Sequence, residues 1–294
     1  MTETPPLCAG PDPLPRAPHF IVPANGCDCH FHIFDGPSPQ VPERSYTAAP
    51  APEFDFRHLQ RTLGLTRSVI VQPSVYGTDN RTTMHACKAD PSMKAIVVID
   101  DDTPHHVLSS YREQGAVGCR VNMLFGSNTR IESLAELAAR IADHGWHLQI
   151  LADVSTLHDS MADFASLPVP VVFDHFGHMP AAKGINDPGF RAMLHLLGAG
   201  KAWVKMSGAY RLGPAGQETN TQVAALASAL LRANPDQLVW GSDWPHPAVT
   251  GPMPNDGDLL NALADWAPDA LMRNRILVDN PGRLYGFDRM VPST

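Results

Sequence analysis

Short β-branched and apolar runs recur along the chain, each followed by a stretch with apolar residues at helical spacing. The alternation predicts strands at Cys27–Phe34, Ser68–Pro73, Met93–Ile99, Gly118–Met123, His147–Leu151, Val169–His175, Ala202–Ser207 and Gln237–Asp243. It predicts helices near 54–63, 79–89, 104–114, 131–144, 155–166, 187–198 and 218–233. In 131–144, Ile131, Leu134, Leu137, Ala138 and Ile141 fall on one face, with Glu132, Glu136, Arg140 and Asp143 elsewhere. Strand–helix units repeated eight times in 294 residues predict an α/β fold, a single (β/α)8 TIM barrel. The barrel is expected over residues 21–294, with the Pro-rich residues 1–20 as an extended arm.

An open doubly wound sheet would share this alternation. The polar clusters argue for closure, because they end the first, sixth and eighth strands, and a barrel sets the first strand beside the eighth. No Gly-rich dinucleotide fingerprint follows an early strand. No internal repeat is evident.

Three polar clusters carry the candidate chemistry. In Cys27-Asp28-Cys29-His30-Phe31-His32, strand alternation would put Asp28, His30 and His32 on one face, and Cys27, Cys29 and Phe31 against the helices. Two imidazoles on one barrel face can hold a metal or polarise a carbonyl, or merely hydrogen-bond within the barrel. Phe173-Asp174-His175-Phe176-Gly177-His178 puts His175 at a strand end, expected to share the inward face with Phe173, and His178 in the loop beyond. Trp240-Gly241-Ser242-Asp243-Trp244-Pro245-His246-Pro247 ends the last strand on Asp243, where Trp244 and Pro245 are expected to fix the carboxylate. A carboxylate there must be paired or solvated, because burying it alone is costly.

Composition narrows the partners. The chain is 44% hydrophobic and 18% charged, ordinary for a globular protein. A net charge of −8 argues against a nucleic-acid partner, yet local arginines can still recruit an anion. The five cysteines have no framework spacing and are expected as reduced thiols in a cytoplasmic protein. No run of about 18 apolar residues points to a membrane span, and the first residues lack a secretory pattern.

Together the three clusters resemble the amidohydrolase-2 branch of the amidohydrolase superfamily, and within it the 2-pyrone-4,6-dicarboxylate lactonase group with its sugar-lactone hydrolases and isomerases. The likeness runs from Ile21 to Phe287 and takes in Val69-Ile70-Val71-Gln72 and Asp279-Asn280-Pro281-Gly282-Arg283-Leu284-Tyr285. The resemblance implies a hydrolase acting on the ester of a small, carboxylated lactone. In it His30, His32 and His175 polarise the carbonyl and Asp243 activates water. It further implies that Arg120 and Arg211 hold a substrate carboxylate and that Tyr46 lies in the loop after the first strand, with His246 and His178 completing the substrate contacts. Structurally, Arg120 could instead pair with Asp28 or Asp153. Where the pyrone lactonases carry a further arginine, this chain has Leu124-Phe125-Gly126 with Arg130 nearby, and their tyrosine on the fifth strand is Leu151. The resemblance implies no essential metal, and Gly118–Met123 offers no lysine for a bridged metal pair. The alternative is one zinc on His30, His32, His175 and Asp243. A lactone isomerase on the same residues and a zinc-dependent decarboxylase are the competing activities.

Overall fold

In a computed structural model, which describes residues 5–35, 38–124, 133–213, 221–249 and 251–287, eight parallel strands follow one another around a single sheet. They are β1 Cys27–Phe31, β2 Arg67–Val71, β3 Met93–Val97, β4 Ala116–Asn122, β5 His147–Leu151, β6 Val171–Phe173, β7 Ala202–Met206 and β8 Leu238–Trp240. Backbone bonds join the two ends of the sheet: Asp243 N donates to His30 O at 2.7 Å and His32 N to Trp244 O at 2.8 Å. The expected barrel is therefore present, with its seam between β1 and the segment after β8.

The outer layer contains α1 Glu53–Leu63, α2 Arg81–Ala89, α3 His105–Glu113, α4 Leu134–Ala142, α5 Met161–Ser166, α6 Pro188–Gly198 and α7 Thr221–Ala233. Three further helices, α8 Asp256–Trp266, α9 Ala270–Asn274 and α10 Asn280–Tyr285, were not anticipated. The first of these has Leu259, Ala262, Leu263 and Trp266 at helical spacing, a signal the sequence carries but that the strand–helix count, complete at the eighth strand, did not use. Ile131, Glu132, Phe125, Gly126 and Arg130, invoked above, lie outside the described residues. No described helix is long and apolar enough to cross a membrane.

Apolar residues divide into two clusters. The larger joins the outward side chains of the strands, such as Ile70, Ala95 and Phe173, to the buried faces of the helices. The smaller contains Cys27, Cys29, Val69, Val71, Ile96 and Val239 with Tyr285 and Phe287. These residues alternate with the outward ones along the same strands, so they fill the lower barrel interior, and the C-terminal aromatics close its floor. Hence Cys27 and Cys29 point inward, not to the helices as expected.

The reason is a bulge in β1. Cys27 pairs with Arg67 and Asp28 with Ser68, but Phe31 pairs with Ile70, so β1 holds one extra residue between Asp28 and Phe31. One extra residue reverses which face later side chains occupy. Below the bulge Cys27 and Cys29 point in; above it His30 and His32 point in while Phe31 stacks on Phe56 of α1 at 3.5 Å between centroids. Asp28 leaves the histidine face altogether. Its carboxylate accepts from Ser242 N at 2.9 Å and Ser242 Oγ at 2.6 Å, tying the seam together.

Part of the N-terminal segment lies on the barrel. Cys8 N donates to Thr47 O, and Arg16 N donates to Asn255 Oδ1 beside the start of α8.

Candidate active site

The C-terminal mouth of the barrel gathers the predicted residues. Asp243 stands just beyond β8 with φ of 66°. Gly241 lets this segment approach β1: a Cβ there would lie 2.7 Å from His30 Cβ. His175 arrives by another route than expected. Its strand ends at Phe173, which points outward to Phe164 of α5, and Asp174 is the inward residue. His175 and Phe176 then take positive φ of 49° and 57°, which turns His175 back over the mouth. Trp244 likewise faces Phe56 and not the carboxylate.

Asp243 uses its two oxygens differently. Oδ2 accepts from the Tyr210 hydroxyl at 2.6 Å and from Arg211 Nε at 2.7 Å. Oδ1 lies 3.7 Å from His30 Nε2 and 3.8 Å from both His32 Nε2 and His175 Nε2, beyond hydrogen-bond reach. Burial works to raise the carboxyl's pKa, but Arg211 and the imidazoles outweigh it and hold it well below the ordinary value. Asp243 is thus an ionised carboxylate with one oxygen bound and one facing three rings.

Under the rings lies a charged layer the sequence reading passed over. Lys205 of β7 is fully buried, and its Nζ donates to Gln149 Oε1 at 2.7 Å, Cys29 O at 2.9 Å and His30 Nδ1 at 3.3 Å. The Cys29 carbonyl belongs to the bulge, so Lys205 satisfies an acceptor that the sheet ladder leaves free. Asp174, also fully buried, accepts from Arg120 Nε and Gln149 Nε2, both at 3.1 Å, and lies 3.6 Å from Lys205 Nζ. Burial opposes its ionisation, yet His30, Lys205 and Arg120 keep its pKa well below the usual carboxylate value. Arg120 therefore pairs with Asp174, not with Asp28 or Asp153. A single lysine or glutamine inside an apolar strand was the available signal for Lys205 and Gln149. Tyr210 left none, since a tyrosine in a loop is unremarkable.

Hydrogen placement follows from these partners. An ammonium has three hydrogens and no lone pair, and Lys205 has three acceptors. His30 Nδ1 lies 3.3 Å from both the Lys205 ammonium and Asp174 Oδ1: accepting from the lysine puts its own hydrogen on Nε2, a buried atom with no partner among the described residues, whereas donating to Asp174 leaves Nε2 as a lone pair. His32 has no such choice. Its Nδ1 lies 2.7 Å from Val71 O, a carbonyl that can only accept, which leaves Nε2 as a lone pair. In this tautomer Nε2 has no hydrogen to offer a carbonyl. His175 Nδ1 meets Ser207 Oγ at 2.9 Å, which serves either tautomer.

Burial keeps these rings neutral. It lowers the pKa of His32 to about 4 and those of His175 and the deeper His147 to about 3. Unfolding exposes them to protons from about pH 6.5 downward, while the folded rings refuse them. The unfolded state then binds more protons, so stability falls as pH drops from 6.5 towards 4, by about 1.4 kcal/mol per pH unit for each such ring. Thermal melts should show the transition falling steadily between pH 7 and pH 5; an unchanged midpoint over that range would contradict neutral burial.

A small cleft opens above the rings, lined by His32, Tyr46, Arg120, His175, His178, Arg211 and Asp243 among others. Both wall arginines are paired, Arg120 with Asp174 and Arg211 with Asp243, and Lys205 beneath them leaves the cluster with one surplus positive charge, although the whole chain carries −8. His30 lies beneath the cleft, fully buried. His246, expected at the substrate, does not line it: the ring is buried behind Asp243, 3.2 Å from the Tyr210 hydroxyl and 3.2 Å from Asp256 Oδ1.

Among the described residues, two groups could bring three ligand atoms around one metal: His30 with Asp174 and His175, and His30 with His32 and Asp243. Both need His30. With Nδ1 accepting from Lys205, His30 Nε2 is protonated and neither group fits a metal ion; with Nδ1–H given to Asp174 Oδ1, Nε2 is free to join His32 and Asp243 as a ligand.

A parallel barrel with imidazoles, a bound carboxylate and arginines converging at its C-terminal mouth is the framework of a hydrolytic barrel enzyme. The chain belongs to the amidohydrolase family, whose pattern matches residues 27–287. It is 34% identical to the 4-sulfomuconolactone hydrolase of Hydrogenophaga intermedia, covering 97% of this chain and 96% of that one. It is 33% identical to a 2-pyrone-4,6-dicarboxylate hydrolase of Comamonas testosteroni, covering 92% and 93%. The crystal structure of an Agrobacterium tumefaciens protein without ligand matches with a TM-score of 0.84 at 28% identity, over 93% of this chain and all of that one. A Burkholderia multivorans amidohydrolase with bound zinc shares the fold, with a TM-score of 0.72 at 19% identity over 90% of this chain and all of that one.

Proposed function

We propose that the protein hydrolyses the ester of a small lactone bearing an acidic group. The observation that carries this reading is Asp243: one oxygen is tied down, and the other faces three imidazoles beneath an arginine-walled cleft. Lactone hydrolysis by the relatives named above supports the reaction class.

The tautomers assign the parts. His32 Nε2 and Asp243 Oδ1 are both acceptors, 3.8 Å apart, a gap that one water molecule at about 2.8 Å from each can span. That water gives one hydrogen to each and presents its oxygen lone pair to the lactone carbonyl. With His30 Nδ1 accepting from Lys205, His30 Nε2–H is the donor for the oxyanion as the carbonyl carbon becomes tetrahedral. Asp243 Oδ1 takes the water proton and returns it to the departing ring oxygen, so the product is the hydroxy acid. Arg120 and Arg211 hold the substrate's acidic group, with Tyr46 and His178 on the cleft wall. No metal is required in this scheme, and the donor on His30 would be lost to one.

A panel of acidic and neutral lactones, assayed by acid release and product analysis, tests the reading. Ring-opened hydroxy acid is expected, undiminished by chelator. A ring-shifted lactone would make the protein an isomerase, and CO2 from an aromatic acid a decarboxylase; either would overturn the proposal. Arg120→Met should raise KM sharply for an acidic lactone and little for a neutral analogue. Equal losses on both, with a lower melting temperature, would confine Arg120 to its pairing with Asp174.

A further inference from the structure

Behind Asp243 runs a second polar chain that the scheme above leaves unused. The Tyr210 hydroxyl donates to Asp243 Oδ2 at 2.6 Å. His246 Nδ1 lies 3.2 Å from that hydroxyl, and His246 Nε2 lies 3.2 Å from Asp256 Oδ1. All four residues are buried. Asp256 begins α8, but Asn255 caps that helix by accepting from Gly257 N. Neither Asp256 oxygen, nor His246 Nε2, has a hydrogen bond among the described residues, so the 3.2 Å approach of His246 Nε2 to Asp256 Oδ1 is an ion-pair contact that a small turn of the ring would make a hydrogen bond. A carboxylate buried without a solvating partner is costly, and here it serves neither the helix cap nor a salt bridge with lysine or arginine. Among the described residues its ion-pair contact is with His246.

We infer that Asp256, His246 and Tyr210 are positioning residues that select which oxygen of Asp243 acts as the base. The inference rests on the assignment of Asp243 as that base. Hydrogen accounting gives the mechanism. Asp256 is an acceptor, so it draws a hydrogen to His246 Nε2 and turns Nδ1 towards Tyr210. With Nδ1–H given to the phenol oxygen, the phenol's single hydrogen is left for Asp243 Oδ2. Arg211 fills the second site on the same oxygen. Both donors occupy Oδ2, and the incoming water proton is directed to Oδ1, the oxygen among the imidazoles. Without the chain, the Tyr210 hydroxyl could rotate towards His246 Nδ1, and Asp243 could turn either oxygen to the water. The groups facing Asp243 are then His30 and His32 from β1 and its extension, His175 from beyond β6, and Tyr210 and Arg211 from beyond β7. Asp256 acts only through His246 and Tyr210.

The test is a mutant cycle on the lactone that the wild-type protein opens fastest. Asp256→Asn should lower kcat about tenfold or more, as outer partners of catalytic groups commonly do, with KM little changed. Asp256→Glu should recover part of the loss. Tyr210→Phe should lower kcat further, and Tyr210→Phe with Asp256→Asn should be no worse than Tyr210→Phe alone, because Asp256 has no route to Asp243 except the phenol. Full kcat in Asp256→Asn, or losses that multiply in the double variant, would overturn the inference. If Asp256→Asn does not fold, His246→Gln is read against Tyr210→Phe in the same way. An Asp243→Asn control separates the two failures. An active Asp243→Asn removes the base itself, whereas an inactive one beside an unimpaired Asp256→Asn removes only the positioning chain.

Discussion

Asp243→Asn is expected to lower kcat by roughly 10²–10⁴, the range for loss of a general base. Asparagine can keep a carbonyl oxygen for Tyr210 and Arg211, whose bonds to Oδ2 measure 2.6 and 2.7 Å. In place of Oδ1 it puts an amide nitrogen, which has no lone pair to take a proton. The change removes the base while retaining the hydrogen-bond frame around it. Arg211 loses its charge partner, so the melting transition should move down yet stay cooperative. KM should change little, because an interaction confined to the transition state appears in kcat. Steady-state kinetics with calorimetric binding of the product anion would check both halves. A purified variant with near-normal kcat would exclude Asp243 from proton transfer.

Lys205→Met should have the largest effect on the fold and an unusual one on metal binding. Lys205 lies 3.6 Å from Asp174 Oδ1, and both are fully buried. Removing one partner of a buried charge pair costs about 3–5 kcal/mol, because the other charge stays in place. Arg120 and Gln149 still reach Asp174 Oδ2, so the protein should fold, with a much lower denaturation midpoint. The loss of the ammonium also frees His30 Nδ1. Its remaining neighbour is Asp174 Oδ1, an acceptor at the same 3.3 Å, so the ring hydrogen should settle on Nδ1 and bare Nε2. His30, His32 and Asp243 would then offer three lone pairs to one ion. Elemental analysis after dialysis against zinc should find substoichiometric metal in the wild-type protein and near-stoichiometric metal in the folded variant. Zinc bound equally by both, with wild-type activity lost to chelator, would reverse the reading of Lys205.

The barrel was legible because its signal is long. Eight β-branched runs alternated with helical periods, and β5 was placed with its observed bounds, His147–Leu151. The site was legible in outline for a different reason: His30, His32, His175 and Asp243 stand in dense local motifs at strand ends. What failed was the side each residue faces. Alternation assumes an unbroken pleat, and the extra residue in β1 breaks it, which misplaced Cys27, Cys29 and Asp28. The same assumption paired His175 with Phe173 on one face, whereas positive φ brings His175 inward from beyond the strand end. The charged layer of Lys205, Gln149 and Asp174 was missed because each residue is isolated in sequence and meets the others only across the barrel. His246 was drawn to the substrate by its motif, although a motif records neighbours along the chain and not depth.

The bulge in β1 also sets what this strand can tolerate. Substitutions at Cys27 or Cys29 change only the fit of small side chains in the lower core, and each costs what its volume dictates. A change of length is another matter. Deleting one residue at the bulge would rotate everything after it by half a pleat, carrying Phe31 into the mouth and turning both imidazoles towards the helices. It would also withdraw the carbonyl that receives the Lys205 ammonium. A single-codon deletion there would erase the reaction centre while leaving every functional residue in the sequence, so in this stretch spacing carries information that residue identity does not.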